Sequence, residues 1–289
     1  MSPMPQEIRR ALKEMGPGAT LEMNLRSKAM FAPLVEPVSG IVEHLDQPYG
    51  EHPRQQYDVY TTPGLKGAPI VIYIPGGGFS GGDKRQDGAF FSNLGRFFAS
   101  KGMLCITANY RLSPEVSWPA GSEDLSKLVT HLKGKAASFG GDANRIVIFG
   151  HSAGAAHVAS YVFDPDLRGH EQVAGAVLAS GLYVLRTEEL RPNVALYFGE
   201  DEATFARRSA LSHVPGTKVP VFLTVAEFDP VSLATPAFEM AIALTKRDGH
   251  PPPFLRIDDH NHFSCICGIG TKDERFSGAL LDFIAACTG

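Results

Sequence analysis

Cysteine is scarce in this chain, with four among 289 residues, and that scarcity argues against a small disulfide-stapled scaffold. A chain of this length can bury a large hydrophobic core and needs no disulfides to fold. Cys265 and Cys267 are separated by one residue, and cysteines so close together rarely bridge each other. The sequence therefore predicts four reduced thiols, which are typical of a cytoplasmic protein.

Long apolar runs are also missing. No stretch approaches the roughly 18 uninterrupted apolar residues that a membrane-spanning helix needs. Residues Met1 to Met15 are polar with a helical pattern, and they lack the apolar centre of a signal peptide. We expect a cytoplasmic protein that has no membrane partner.

Neither sign of charge dominates: Lys and Arg number 27, Asp and Glu number 31, and the formal net charge is −4. Such a chain has no overall basic field, so nucleic acid is not expected as a partner. The composition is 44% hydrophobic and 20% charged, as in an ordinary soluble globular protein. A wholly disordered, collagen-like or coiled-coil chain is therefore excluded.

Short apolar, β-branched runs alternate with helical patterns along most of the chain. Six runs predict buried strands: 70–74, 104–108, 145–149, 174–180, 219–226 and 254–257, with a weaker alternating run at 56–60. Helical spacing recurs at Leu125, Leu128, Val129, Leu132; at Ala237, Met240, Ala241, Leu244, after a start signal at Thr235 and Pro236; and at Phe276, Leu280, Phe283, Ile284. This alternation predicts an α/β protein with a mostly parallel sheet covered by helices on both faces.

Two segments fit the alternation poorly. We interpret residues 1–50 as an N-terminal segment and residues 51–289 as the main α/β domain, which carries an insertion at 181–218. Both segments are candidates for lids over the carboxyl edge of the sheet, where open α/β proteins place their sites. The alternative is that they only decorate the surface.

The sharpest motif is GHSAG, Gly150 to Gly154, between a predicted strand and a helix of small residues. A nucleophilic serine needs a tight strand-to-helix turn to expose its oxygen, and glycines two residues to either side provide clearance. The motif therefore indicates Ser152 as a nucleophile. A chance match is the alternative, because the chain contains 30 glycines.

The second motif is PGGGF, Pro75 to Phe79, directly after a predicted strand. Consecutive glycines at this place favour backbone that approaches a ligand, although a flexible turn is the simpler interpretation. We expect the N–H groups of Gly77 and Gly78, together with that of Ala153, to form an oxyanion hole. Gly76 is the substitute donor if the loop registers differently.

These motifs, in this order, resemble the α/β-hydrolases of the esterase/lipase group, which includes hormone-sensitive-lipase-like carboxylesterases and kynurenine formamidase-like arylformamidases. The resemblance covers roughly residue 49 to the end. It also rests on Asn109 to Pro114, on Phe228-Asp229-Pro230, on His262-Phe263 and, for the formamidase-like branch, on Tyr49-Gly50 and Gln56 to Tyr60. The chain departs from the pattern at Pro75, where many members have a histidine that buttresses the glycine loop.

The resemblance implies a Ser-His-Asp triad in the chain order Ser, Asp, His. Asp229 matches the Asp-Pro of the family and is preferred to Glu227, although a solvated Asp-Pro turn is the alternative. His262, followed by Phe263, is the implied base. His260 is disfavoured because its two neighbouring aspartates would keep it protonated.

A metal interpretation of the cluster from Asp258 to Cys267 is rejected, since the chain holds no second cluster at ligand spacing. We expect a serine hydrolase that cleaves a small carboxylic ester through an acyl-enzyme, without a cofactor. The alternatives are an arylformamidase-like hydrolase of a small amide and a non-catalytic ligand-binding α/β-hydrolase. The oligomeric state stays open, a homodimer included.

The insertion also bears on the substrate. Its charged residues favour a short acyl group, because a lipase lid would need a broad apolar face. They are Glu188, Glu189, Arg191, Glu200, Asp201 and Glu202.

Overall fold

The computed structural model describes residues 4–86, 89–167 and 172–289. Within these ranges one sheet contains the strands β1 (Val42–Pro48), β2 (Gln56–Thr61), β3 (Ala68–Ile74), β4 (Leu104–Ala108), β5 (Gly141–His151), β6 (Gly175–Ala179), β7 (Val221–Phe228) and β8 (Phe254–Asn261). Their order is β1-β2-β4-β3-β5-β6-β7-β8. The strands β4, β3, β5, β6, β7 and β8 run parallel to one another, whereas β2 is antiparallel to β4 and β1 is antiparallel to β2.

The helices of the described ranges are α1 (Gln6–Met15), α2 (Leu21–Phe31), α3 (Ser92–Ser100), α4 (Ala120–Lys135), α5 (Ala153–Phe163), α6 (Pro192–Phe198), α7 (Phe205–Arg208), α8 (Val231–Asp248), α9 (Ser264–Cys267) and α10 (Glu274–Thr288). No helix in this part of the chain is long and apolar enough to cross a bilayer.

Alternation along the central strands sorts their side chains between two cores. Ile70, Ile72 and Ile74 of β3 lie in the core covered by α4, α5 and α8. Val71 and Tyr73 lie in the core covered by α1, α3 and α10. Residues that alternate along a strand point to opposite faces, so a continuous apolar run is the sign of a strand buried on both sides. The predicted fold class is confirmed.

Strand β1 was not predicted, because its sequence carries little apolar character. It lies at the edge of the sheet, and both Val42 and Leu45 are more than a third exposed. An edge strand with one exposed face does not need the buried run that identifies a central strand. Residues 1–50 thus contribute one strand to the sheet, besides α1, which packs against β8, and α2, which packs against α9.

The start of α8 differs from the prediction. The helix begins at Val231, directly after Pro230, and not at Thr235. The N–H groups of Leu233 and Ala234 both donate to the Pro230 carbonyl, which builds the first turn ahead of Pro236. Pro236 lies inside the helix, beyond its first turn, and removes one backbone donor there.

Parallel strands end at a common edge, and this edge collects the predicted functional residues. The glycine loop follows β3, Ser152 follows β5, Asp229 follows β7 and His262 follows β8. The insertion between β6 and β7 contains α6 and α7. The fold therefore brings together residues that are far apart in the sequence.

Candidate active site

Ser152 occupies a strained turn between β5 and α5. Its φ of 56° and ψ of −123° lie outside the conformations that residues with side chains normally adopt. A Cβ at Gly150 would collide with the backbone of Gly154, and one at Gly154 would collide with the carbonyl of Ile74. The two glycines are therefore required by close backbone contacts. The turn leaves Ser152 partly exposed, whereas its neighbours His151 and Ala153 are buried.

Ser152, His262 and Asp229 form a continuous hydrogen-bonded chain. Ser152 Oγ lies 2.9 Å from His262 Nε2, and His262 Nδ1 lies 2.7 Å from Asp229 Oδ1. The side chains of His262 and Asp229 are almost completely buried. When Nδ1–H donates to the carboxylate, Nε2 is left unprotonated and can accept the serine proton.

Asp229 is held as a carboxylate by several donors. Burial alone raises its pKa, but the hydrogen bond and charge of His262, with further hydrogen bonds, lower it below the usual value. Asp229 Oδ2 accepts from Ser180 Oγ at 2.6 Å and from the Ala226 N–H at 2.7 Å. Ser180 was missed in the sequence. Its position as the last residue of the predicted strand 174–180 was the available signal, since the carboxyl ends of parallel strands gather polar site residues.

Glu227, the disfavoured carboxylate, lies elsewhere. It accepts a hydrogen bond from the Asp259 N–H at 2.7 Å and pairs with Arg256 at 3.0 Å. Its carboxylate thus ties β7 to β8 rather than holding the ring of His262. The structure brings Asp229, and not Glu227, to the histidine.

His260 is buried and faces partners other than those expected. Its Nδ1 lies 3.0 Å from Ser264 Oγ and its Nε2 lies 3.4 Å from Asp273 Oδ2. The adjacent Asp258 pairs instead with Arg256. The carboxylate within hydrogen-bonding reach of His260 is thus that of Asp273, and not that of Asp258 or Asp259.

Two carbonyl groups of the glycine loop are fixed by hydrogen bonds. The Tyr110 hydroxyl donates to the Pro75 carbonyl at 3.1 Å, and the Gly81 N–H donates to the Gly77 carbonyl at 3.0 Å. The Tyr110 bond holds the loop at the position where the family pattern has a histidine. A trans peptide directs its N–H opposite to its C=O, so these two hydrogen bonds also orient the N–H groups of Gly76 and Gly78.

The predicted oxyanion donors are available. Among the described residues, the N–H groups of Gly77, Gly78 and Ala153 have no backbone acceptor. The loop lies against the nucleophile, since a Cβ at Gly76 would be 2.8 Å from the Cβ of Ser152. Ala153 is the first residue of α5, where N–H groups remain unpaired and the helix dipole favours negative charge.

His151 supports the loop that carries His262. Its buried Nε2–H donates to the His262 carbonyl at 2.8 Å, and the two ring centroids are 4.7 Å apart. Burial, followed by the nearby His262, lowers the pKa of His151 to about 3. His151 therefore stays neutral, which agrees with a supporting role.

The aromatic residues of the insertion form a core rather than an open wall. Tyr183, Tyr197 and Phe198 are all buried. Tyr197 stacks on Phe79 with ring centroids 5.0 Å apart, and the Trp118 N–H donates to the Tyr197 carbonyl at 2.8 Å. This cluster joins α6 to the glycine loop.

The cysteines near His262 are buried thiols. Cys265 Sγ donates to the His262 carbonyl at 3.3 Å, and burial raises the pKa of Cys265 and Cys267. In the ranges that the structure describes, no three His, Cys, Asp or Glu side chains converge to hold a metal ion.

Comparison with solved structures identifies the fold. Esterase B from Lactobacillus rhamnosis matches with a TM-score of 0.74 at 17% identity, over 98% of this chain and 96% of that one. EstE1, a carboxylesterase from a metagenomic library, matches with a TM-score of 0.72 at 21% identity, over 99% and 98% of the chains. Together with the strand order, these matches show that the chain has the α/β-hydrolase fold.

Sequence comparison finds similarity to one protein family and to named esterases. The BD-FAE family model matches residues 57–163. Esterase LipQ of Mycobacterium tuberculosis is 30% identical over 267 residues, which cover 84% of this chain and 62% of LipQ. The chain thus spans less than two thirds of the length of that relative. Over these residues the chain is similar to the BD-FAE family and to LipQ, and its fold is that of the two solved esterases.

Proposed function

We propose that this protein is a serine hydrolase that cleaves small carboxylic esters. The hydrogen-bonded chain from Ser152 through His262 to Asp229 carries the proposal, because it gives a partly exposed serine a base and an orienting carboxylate. The names of the relatives, LipQ and EstE1 among them, support ester hydrolysis. The substrate partner is a small molecule.

The mechanism follows from this geometry. Ser152 Oγ attacks the ester carbonyl carbon while His262 Nε2 takes the serine proton, and Asp229 stabilises the imidazolium. The N–H groups of Gly77, Gly78 and Ala153 bind the oxyanion, and each such donor contributes about 3 kcal/mol to the transition state. His262 then protonates the leaving alcohol. Water, activated by the same histidine, hydrolyses the acyl-enzyme.

The insertion supports short acyl groups. The charged side chains of Glu188, Arg191 and Glu200 are exposed, while the aromatic residues beneath them are buried. An insertion of this kind offers no broad apolar face to an oil surface. Hydrolysis rates on p-nitrophenyl esters of increasing acyl length test this: acetate and butyrate should be cleaved faster than palmitate, and emulsified triglyceride should be a poor substrate.

Ester and amide hydrolysis use the same residues, so the arylformamidase-like alternative is tested by substrates. N-formyl anilides assayed beside the p-nitrophenyl esters separate the two reactions. Labelling by a fluorophosphonate tests the non-catalytic alternative, because a pure binding protein would not react at Ser152. The four free cysteines support a cytoplasmic location, which cell fractionation tests.

A further inference from the structure

One side chain of the insertion reaches the glycine loop. Asn193, on α6, is half-buried, and its Nδ2 donates to the Gly78 carbonyl at 2.9 Å across a sequence separation of 115 residues. A Cβ at Gly78 would lie 2.8 Å from the same nitrogen, so the amide and the backbone are in close contact. The helix therefore contacts the loop at one of the expected oxyanion donors.

The loop needs such support because its backbone is unusual at this point. Gly78 and Phe79 have φ values of 60° and 68°, in the left-handed region that is disfavoured for a residue with a side chain. Phe79 is held by the stacked ring of Tyr197 and by the Ser113 N–H, which donates to its carbonyl at 3.0 Å. Two residues of α6, Asn193 and Tyr197, thus hold this pair of residues.

Both peptide planes that flank Gly78 are anchored. The Gly77–Gly78 plane is anchored by the Gly81 N–H on the Gly77 carbonyl, and the Gly78–Phe79 plane is anchored by Asn193. Glycine rotates freely about its backbone dihedrals, so losing Asn193 frees the Gly78–Phe79 plane and leaves the Gly81 bond as the one anchor described here that sets the direction of the Gly78 N–H. An oxyanion donor contributes fully only when its direction is set before the reaction.

We propose that Asn193 is a positioning residue for the oxyanion hole, an inference that rests on the proposed esterase activity. Asn193 touches no reacting atom. It acts through the Gly78 peptide, and it links the insertion to the rate of the chemical step. The insertion thus affects transition-state stabilisation as well as substrate access.

The test compares Asn193→Ala and Asn193→Asp with the wild type on a p-nitrophenyl ester. The aspartate keeps the size of the side chain but replaces the donor with an acceptor that repels the Gly78 carbonyl. We expect kcat to fall about tenfold for alanine and about 100-fold for aspartate, with KM within about twofold, because the oxyanion exists only in the transition state. Affinity for a trifluoromethyl ketone, which forms the tetrahedral adduct, should fall in parallel.

The matched control is Leu196→Ala, on the same helix but half exposed. It should leave kcat and ketone affinity unchanged, and thermal melting identifies the variants that fold. If Asn193→Ala does not fold, the test is made with Asn193→Asp, whose side chain has the same size as asparagine. If Asn193→Asp has the kcat of the wild type, or if only its KM changes while its affinity for the ketone does not, the role of Asn193 is overturned and the proposed esterase function stands. A wild-type chain that neither cleaves the ester nor binds the ketone overturns the proposed function, and the inference with it.

Discussion

Two Ser-His-Asp arrangements flank the end of β8, and only one has the features of an active site. The first joins Ser152, His262 and Asp229 through contacts of 2.9 and 2.7 Å. The second joins Ser264 and Asp273 to His260 through contacts of 3.0 and 3.4 Å. Both histidines are buried and belong to one short stretch of chain.

The difference lies around the serines. Ser152 is partly exposed on a strained turn beside unpaired N–H groups, whereas Ser264 is completely buried. The Ser264 hydroxyl also accepts the Asn261 N–H at 2.9 Å, and Asp273 is tied to Arg275 at 2.6 Å. The second arrangement therefore closes the turn after β8. Three suitable residue types make a reactive site only where a substrate can reach the serine and an anion can be stabilised.

Replacing each serine in turn tests most directly which of the two arrangements is catalytic. Ser152→Ala should lower kcat by about 10⁶-fold, as expected when a working triad loses its nucleophile. Ser264→Ala should keep kcat within a few-fold and lower only the melting temperature, because it loses a buried hydrogen bond. Steady-state kinetics and thermal melting measure both. Near wild-type activity in pure Ser152→Ala protein would end the nucleophile assignment.

The histidines give the next largest contrast. His262→Ala should lose nearly all activity and fluorophosphonate labelling, since no base remains beside Ser152. His260→Ala should retain most activity in its folded fraction, at the cost of stability. If His260→Ala is inactive while His262→Ala is active, the triad must be redrawn around His260.

The carboxylates come third. Asp229→Asn should lower kcat by about 10⁴-fold, because an amide no longer stabilises the imidazolium or holds the correct tautomer. Glu227→Gln, near the end of β7, is the control and should change kcat little, since its carboxylate contacts the Asp259 N–H instead. Equal losses in the two variants would contradict the assignment of Asp229.

Ser180→Ala should have a smaller effect on kcat than the triad substitutions. Its hydroxyl donates to Asp229 and helps to lower the pKa of that carboxylate. Without it, we expect kcat to fall about tenfold with little change in KM, because hydrogen bonds to charged groups contribute about 1.5–3 kcal/mol. Ser180→Cys, which keeps a weak donor and adds no branch at a φ of 51°, should retain more activity than the alanine variant. No difference between the two would assign Ser180 a packing role.

The smallest effect concerns His157, a buried histidine with no acidic partner among the residues that the structure describes. Burial lowers the pKa of His157 to about 3, against about 6.5 in the unfolded chain. Between these values only the unfolded state binds the proton, so the contribution to stability falls as the pH drops below about 6.5. About 2 kcal/mol should be lost by pH 5, at about 1.36 kcal/mol per pH unit. Urea unfolding at pH 7.5 and pH 5 measures this, and the free energy of unfolding should change less between the two pH values in His157→Phe than in the wild type. An equal change in both proteins would contradict the prediction.

Much of the fold could be predicted because the signals are local. The runs at 70–74, 104–108 and 145–149 are continuous and β-branched, and all three are buried strands. Strand β1 could not be predicted in this way, since an exposed edge strand needs no apolar run. The start of α8 was misplaced because Pro236 is typical of a first turn but lies inside this helix.

The candidate site, like the fold, was predictable from the sequence only in part. Ser152, Asp229 and His262 could be named from motifs at strand ends, and the structure brings them within hydrogen-bonding distance. In a regular strand, residues 260 and 262 would share a face. They have different partners because β8 ends at Asn261 and the chain turns there.

The layered α/β architecture and the turn that carries Ser152 follow from local sequence, because strand runs, helical spacing and glycine clearance depend on neighbours along the chain. Only the tertiary structure decided that Ser180 holds Asp229, 49 residues away, and that Asn193 holds Gly78, 115 residues away. A serine after a strand and an asparagine on a short helix are common in sequences. Their roles come from packing between distant segments, which no local pattern encodes.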